Sequence, residues 1–287
     1  MKANFIQVEV KGGLGNQIFG LAAGWAVAVE TGCNLLVNGS DIGWRGSNRS
    51  RTLELDLFDW STFPNEIVFR STRKNPNLGR MGNRLSTKLL QVVHDRMNEF
   101  ERRDSPNDFR DIIDSALSGA ILDGNYIDFD WLNLSRVYSF PVEFQLNQEN
   151  SIRFEKKADT AVHIRLGDFL HYPDIFPIPS PHYYKTALRS LGSSKYDVFT
   201  DDEEHANRLF PELVLNANKV IAPRDYSGPE TFVILGSYPK IIASASTYSS
   251  IAAWSIDSRG GKVVCPEKMI LSQERDSRPD SWIRVGN

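Results

Sequence analysis

Residues 5–16 read Phe-Ile-Gln-Val-Glu-Val-Lys-Gly-Gly-Leu-Gly-Asn, an alternating apolar and polar run that ends in a cluster of glycines. The alternation predicts a strand over 5–10, and the glycines predict a tight loop after it. An alanine-rich apolar pattern predicts a helix from Gln17 to about Thr31, stopped by Gly32, and 34–37 predicts a second strand. The order strand, glycine loop, helix, strand is typical of a parallel α/β sheet.

The same order of elements returns in the second half of the chain. Residues 160–164 predict a buried strand, 165–168 a tight loop, and 181–191 a helix with proline near its first turn. Further strands are predicted over 196–200, 220–221, 240–243 and 262–265, and further helices over 203–209, 230–236 and 247–258. This alternation requires a second parallel sheet covered on both faces.

A polar and charged segment near 147–157 predicts a domain boundary. We therefore predict an N-terminal domain at 1–155 and a C-terminal domain at 156–287. The last residues either stay with the second domain or pack back on the first. Basic residues interspersed with polar ones between Arg70 and Lys88 predict a solvated loop, or alternatively a contact with anionic lipid.

Composition limits the functional classes. The net charge of −3 and pI near 6.0 give no overall attraction for nucleic acid, so an anionic ligand needs a local group of donors. Two cysteines are too few for a disulfide framework or a zinc ribbon. No apolar run reaches membrane-spanning length. We therefore expect a cytoplasmic protein, peripheral at the inner membrane face if it binds lipid, or else a chain trimmed of an anchor.

Arg165 directly follows the strand predicted at 160–164, with Gly167 and Asp168 close behind it. Ligands of open α/β sheets bind outside the carboxyl ends of the strands, where a guanidinium can bind two phosphate oxygens at any working pH. An ordinary ion pair with Asp168 is an equally good interpretation of the spacing. His163 is better explained as a hydrogen-bonded strand histidine than as a catalyst.

Three other segments supply candidate ligands. The first is the glycine loop with its helix N-terminus, which is not the dinucleotide fingerprint because Ile18 replaces its last glycine. The second is the acidic pair after the strand at 196–200, and the third is the serine-rich segment at 244–250. A simple turn, a favourable helix dipole and an N-cap, respectively, explain the same residues without a ligand.

Five segments, in this order, resemble glycosyltransferase family 11, the α-1,2-fucosyltransferases. They are Gly12–Phe19, His163–Asp168, Tyr183–Ala187, Phe199–Asp202, and Ser244–Ser249 leading to Ala253 and Trp254. The resemblance implies an α/β fold of GT-B type, in which two Rossmann-like domains with parallel sheets face a central cleft. It implies inverting transfer of L-fucose from GDP-fucose to a glycan hydroxyl, O-2 of a galactoside, without a metal or other cofactor.

The expected site divides between the two domains. Arg165 and Asp168 are the expected catalytic residues; Arg165 holds the pyrophosphate, and Asp168 either acts as base or orients Arg165. Donor contacts are expected from His163, Arg165, Gly167, Asp201, Asp202, Ser246, Thr247, Tyr248 and Ser249. Acceptor contacts are expected from Gly13, Gly15, Asn16 and Gln17. The expected partners are a GDP-sugar and a galactose-containing glycan, free or lipid-linked, and not nucleic acid.

Several alternatives stay open at this stage. The first alternative is a transferase whose sugar donor is a different GDP- or UDP-hexose. The second is a glycan-binding relative without turnover. The second alternative rests on Ala245, Ser250 and Ile251, where the family has an asparagine and two tryptophans. Asp128 and Asp130 instead suggest a metal-dependent transferase. The incomplete glycine fingerprint disfavours an NAD-dependent enzyme.

Overall fold

The computed structural model describes residues 5–40, 42, 51–70, 101–103, 109, 113, 120–123, 126–147, 152–271 and 276–287. The chain is an α/β protein that divides into two compact units, Met1–Pro141 and Val142–Asn287. Each unit contains one sheet whose strand pairs are all parallel. The predicted α/β class with two parallel sheets is therefore confirmed.

The first sheet has the strand order β3-β2-β1-β5-β4. Its strands are β1 (Phe5–Glu9), β2 (Asn34–Asn38), β3 (Ile67–Arg70), β4 (Glu101–Arg103) and β5 (Ala120–Leu122). The central β1 is flanked by a strand on each side, and this position agrees with the burial of its first four residues.

Helix α1 (Leu14–Thr31) follows β1 through the glycine loop and is buried along most of its length. It begins before the predicted start at Gln17, with Gly13 as its N-cap, and ends where Gly32 takes a left-handed φ of 66°. A second helix, α2 (Phe129–Val137), packs beside it, with Phe19 and Phe129 in edge-to-face contact at 5.4 Å.

The second sheet has the strand order β11-β10-β9-β6-β7-β8. Its strands are β6 (Thr160–Ile164), β7 (Tyr196–Thr200), β8 (Lys219–Ile221), β9 (Lys240–Ile242), β10 (Lys262–Pro266) and β11 (Ile283–Val285). The connecting helices are α3 (Pro181–Ser190), α4 (Glu203–Leu209), α5 (Pro211–Leu215), α6 (Gly228–Gly236) and α7 (Thr247–Ser258).

The predicted limits of the two domains, 1–155 and 156–287, stay a prediction. In the structure, residues from Val142 onward make contacts within the second unit. Ser255 donates a hydrogen bond to the carbonyl of Val142, and Phe144 packs edge-to-face on Phe232 at 5.2 Å. The final strand β11 pairs with β10, so the last residues belong to the second sheet.

The basic segment from Arg70 to Lys88 lies outside the described residues, apart from Arg70 at the end of β3. The predicted lipid contact of that segment therefore stays untested. Among the described helices, none is both long enough and apolar enough to cross a membrane.

Candidate functional site

An ion-paired cluster forms where β6 and β7 end. These strands pair in register with Ile164 opposite Thr200, so the residues that follow, Arg165 and Asp201, emerge side by side. Arg165 Nη1 lies 2.7 Å from Asp201 Oδ2, and Arg165 Nη2 pairs with Asp168 Oδ1. Carboxylates from two separate segments therefore hold one guanidinium.

Backbone and ring contacts fix the orientation of this cluster further. The amide of Leu166 donates to Asp201 Oδ1 over 2.8 Å, which ties the carboxylate to the loop after β6. The Arg165 guanidinium lies 5.4 Å from the ring centre of Phe169, which stacks on Phe176 at 4.4 Å. The Arg165 side chain is 21% exposed. Because arginine carries five N–H donors, donors remain for a ligand.

Gly167 and Asp168 owe their placement to a short 3-10 helix, Gly167–His171, that begins directly after Leu166. Gly167 is buried and has a φ of +21°, at the edge of the region that favours glycine. The tight helix turns Asp168 back toward Arg165, three residues earlier in the chain.

His163 lies two residues before Arg165 on β6, and its side chain is almost completely buried. Its Nδ1 is 2.8 Å from the hydroxyl of Ser244, and its ring stacks on Tyr248 at 5.6 Å. Burial, with a smaller effect from the charge of Arg165, lowers the pKa of His163 to about 3. It is therefore neutral at ordinary pH, as expected for a hydrogen-bonded strand histidine.

The hydroxyl groups between β9 and α7 form a compact network. Ser246 is the N-cap of α7 and accepts from the amide of Ser249 at 3.3 Å. Ser244 Oγ lies 3.1 Å from Ser246 Oγ and 3.2 Å from Ser249 Oγ. Ser246 and Ser249, which were predicted to contact the GDP-sugar, therefore hydrogen-bond to each other and to Ser244, which contacts His163. Ser246 also caps the N-terminus of α7.

Thr247 and Tyr248 occupy the first turn of α7 and are half-buried. The Tyr248 hydroxyl donates to the carbonyl of Gly228 over 2.7 Å, while its ring contacts Phe232 edge-to-face. These contacts hold the tyrosine against α6 and the ring of His163.

Asp202 has a different environment from its neighbour Asp201. It is the N-cap of α4 and accepts from the amide of His205 at 3.1 Å, while its second oxygen lies 2.8 Å from His205 Nδ1. The two acidic residues therefore differ: Asp202 lies at the helix N-terminus, where the predicted helix-dipole interpretation applies to it, and Asp201 instead pairs with Arg165.

The predicted acceptor residues lie in the first unit, around the N-terminus of α1. Gly13 is the N-cap, and a Cβ added to it would lie 2.6 Å from Arg51 Nη1. Gly15 is buried in the first turn of α1, and Asn16 is half-buried beside Gly12, where an added Cβ would meet Asn16 Nδ2 at 2.6 Å. A side chain at Gly12 would therefore displace the Asn16 amide, and one at Gly13 would displace the end of the Arg51 side chain.

Gln17 is completely buried and connects the glycine loop to the segment near residue 53. Its amide nitrogen donates to the carbonyls of Gly12 and Thr52, at 3.1 and 3.0 Å, and its oxygen accepts from the amide of Glu54 at 3.1 Å. These bonds to the backbone fix the shape of the loop.

Most residues predicted to contact the GDP-sugar thus fall into two adjoining groups in the second unit, the Arg165 cluster and the serine network. The four residues predicted to contact the glycan acceptor lie in the first unit. The expected site residues did not include Phe169, Ser244 or Arg51. Phe169 directly follows the predicted segment His163–Asp168, and Ser244 lies inside the predicted serine-rich segment 244–250, so position in the sequence was the available signal for both. Arg51 gave none, because its approach to Gly13 depends on tertiary structure.

Asp128 and Asp130, which suggested a metal site, begin α2. Asp128 is its N-cap and accepts from the amide of Asp130 at 2.9 Å, so helix capping explains the spacing. Within the described part of the chain, no three His, Cys, Asp or Glu side chains lie close enough together to hold an ion.

Ala245, Ser250 and Ile251 are all almost fully buried. Ser250 Oγ donates toward Met269 Sδ at 3.5 Å. These three residues therefore contribute to packing in the interior and not to an exposed site surface.

Comparison with known proteins finds relatives that span almost the whole chain. No family model matches. The chain is 24% identical to the Escherichia coli O-antigen biosynthesis glycosyltransferase WbnK, covering 96% of this chain and 99% of that protein. It is 22% identical to an Escherichia coli alpha-1,2-colitosyltransferase, covering 98% and 99%.

Among solved structures, POFUT1 in complex with GDP-fucose matches with a TM-score of 0.50 and 14% identity, covering 99% of both chains. Fucosyltransferase NodZ from Bradyrhizobium matches with a TM-score of 0.47 and 16% identity, covering 88% of this chain and 93% of that one. At these identities the POFUT1 match is a likeness of fold, and it agrees with the α/β architecture of the chain.

Proposed function

We propose that this chain is an inverting glycosyltransferase that moves L-fucose from GDP-fucose to a glycan hydroxyl, O-2 of a galactoside. Two relatives that match almost its full length bear glycosyltransferase names, one in O-antigen biosynthesis and one with α-1,2 specificity. A structure with a similar fold holds GDP-fucose. The family 11 motifs quoted above support the same reaction.

The observation that carries the proposal is the constrained guanidinium of Arg165 at the carboxyl end of the central strand β6. Open α/β sheets bind ligands at this edge. A permanently charged guanidinium, already oriented and with donors to spare, stabilises the negative charge that grows on a departing diphosphate. In this proposal Arg165 binds the pyrophosphate of the GDP-sugar.

The reaction breaks the bond between the sugar C1 and the β-phosphate oxygen, and the acceptor oxygen forms a new bond to C1 from the opposite face. GDP leaves with the bonding electron pair, and the proton of the acceptor hydroxyl passes to solvent water. We assign Asp168 the orienting role, because its carboxylate is already paired with Arg165. The proposed mechanism uses no metal ion, and transfer that persists in excess EDTA would support this.

The sugar itself is the least constrained part of the proposal. One relative is named for colitose transfer, so GDP-colitose belongs beside GDP-fucose, GDP-mannose and UDP-galactose in a donor panel. Mass spectrometry of the product with lactose or another galactoside as acceptor then identifies the sugar and the linkage. A protein that binds a GDP-sugar without transferring or hydrolysing any of these donors would be a non-catalytic relative.

Replacing Arg165 tests the central assignment. Arg165→Ala should reduce transfer by about 10²- to 10³-fold and weaken GDP binding, because the diphosphate loses its charged, oriented donors. Steady-state kinetics and calorimetric titration with GDP provide the two readouts. Arg189→Ala removes an exposed arginine from α3 in the same unit and is the matched control. Normal turnover by Arg165→Ala would refute the proposed role.

A further inference from the structure

The amino ends of five neighbouring strands in the second sheet carry basic side chains. Strands β10, β9, β6, β7 and β8 are adjacent and parallel, so the residues at their starts lie along one edge. These cations are Lys156, Lys157, Lys195, Lys219, Lys240, Arg259 and Lys262. With strands of five residues, this edge is roughly 16 Å from the edge that holds Arg165.

Only part of this charge is neutralised. Lys157, Lys240 and Arg259 form ion pairs with acidic side chains at distances of 2.6, 2.7 and 3.2 Å. In the portion of the chain that the structure describes, the other four cations of the edge form no ion pair: Lys156, Lys195, Lys219 and Lys262. An edge with excess positive charge therefore exists in a chain whose net charge is −3.

Two grooves lie between the cations. One, of about 440 Å³, is lined by Lys156, Lys157 and Lys195, by the segments 158–159 and 192–194, and so by one carboxylate, Asp159, which is paired with Lys240. The other, of about 550 Å³, shares Lys156 and adds Lys240, Arg259 and Lys262. Both are open to solvent, and each brings three or more cations around a space large enough for a phosphate group.

An exposed leucine lies beside the same edge. Leu215, the last residue of α5, is 85% exposed. The turn after it is tied to the start of β7 by a hydrogen bond of 2.9 Å from the amide of Asn218 to the carbonyl of Tyr196. Leu215 therefore lies only three residues before the point where the chain joins the edge between Lys195 and Lys219, and an exposed apolar side chain beside cations suits the interface of an anionic membrane.

We propose that this edge, defined by the seven cations and Leu215, docks on anionic phospholipid bilayers. Lipid phosphates occupy the two grooves, and Leu215 inserts between the headgroups at their boundary with the acyl chains. The charge excess supplies attraction, while the leucine distinguishes a bilayer from a free polyanion. This proposal is independent of the transfer reaction, since it concerns the opposite edge of the sheet.

Sedimentation of the full chain with vesicles tests the proposal. We expect binding to vesicles of phosphatidylcholine with 30% phosphatidylglycerol at low salt, release at about 0.5 M salt, and no binding to pure phosphatidylcholine. The double variant Lys195→Gln with Lys262→Gln should lower the partition coefficient by about 30-fold. Lys185→Gln with Lys268→Gln removes the same charge elsewhere in the unit and should leave binding unchanged.

Separate experiments test whether Leu215 inserts into the bilayer and whether the grooves bind lipid phosphate. Leu215→Asn should weaken vesicle binding, whereas Val137→Asn, at another strongly exposed apolar residue, should not. An equal loss in both double lysine variants would overturn the proposal, as would equal binding to uncharged vesicles. Calorimetric binding of inorganic phosphate, together with a failure of anionic vesicles to sediment the chain, would instead assign the grooves to a free anion.

Discussion

The guanidinium of Arg165 lies between two carboxylates, so the unliganded cluster carries an excess of negative charge. A diphosphate that binds there adds more. The cluster can bind a diphosphate if the two carboxylates mainly orient the guanidinium. The guanidinium then presents its remaining N–H donors to the phosphates. In this cluster the carboxylates of Asp168 and Asp201 therefore supply the orientation, and the guanidinium of Arg165 supplies the attraction for the phosphates.

This division of roles predicts that Asp168→Asn and Asp201→Asn behave alike. Each should reduce kcat by roughly ten- to a hundredfold, because Arg165 is less well placed, and should leave GDP binding as tight or tighter, because a negative charge is removed. Kinetics and GDP titration of both variants provide the comparison. A much larger loss of kcat in Asp168→Asn alone would indicate that Asp168 is the general base.

The sequence predicted only part of this cluster. The pairing of Arg165 with Asp168 was one of two interpretations of their spacing, because residues three apart across a tight turn can meet. Asp201 was expected to contact the nucleotide, and its pairing with Arg165 was not foreseen. That contact depends on β6 and β7 being neighbours, and strand order in a sheet is not encoded by local spacing.

At the scale of elements, helix starts supply much of the polar chemistry. Ser246 caps α7, Asp202 caps α4 and Ser180 caps α3. Such caps satisfy amides that the helix leaves without partners. Ser246 differs from the other two caps because it also joins the network around Ser244.

The two serine caps can be compared directly. Ser246→Ala and Ser180→Ala should each lower the free energy of unfolding by about 1 kcal/mol through loss of a cap. If the network also contributes to the donor site, Ser246→Ala alone should weaken GDP binding. Denaturant unfolding and GDP titration separate the two effects, and equal GDP affinities in both variants would restrict Ser246 to capping.

Elements with strong local patterns were predicted well. The bounds of β6, β7, α4 and α7 agree with the prediction, because buried apolar runs and capping residues mark both ends. The short α5 and β11 were missed, as were β3, β4, β5 and α2 in the first unit. Three residues of β11, two of them exposed, contain no periodic pattern, and pairing with β10 is what makes them a strand.

At the scale of the whole molecule, folding removes His163 from water and keeps it neutral. The unfolded chain takes up a proton near the ordinary histidine pKa of about 6.5, whereas the folded chain does so only near 3. The stability linked to His163 is therefore fully present above pH 6.5 and is lost as the pH falls toward the folded pKa.

Between pH 7.5 and pH 5 this linkage should lower the free energy of unfolding by about 2 kcal/mol. The variant His163→Gln should lose that dependence, whatever its absolute stability. His182→Gln removes an exposed histidine from α3 and should retain it. Chemical denaturation across this pH interval gives the measurement, and identical pH slopes for wild type and His163→Gln would contradict the assignment.

Every strand pair of the second sheet is parallel, so all the amino ends lie at one edge and all the carboxyl ends at the other. Basic side chains gather at the first edge, and the Arg165 cluster lies at the second. The two edges are roughly 16 Å apart, farther than one side chain extends. Substitutions at the membrane-docking edge can therefore accumulate without altering the residues around Arg165. Membrane binding and sugar transfer can then evolve independently.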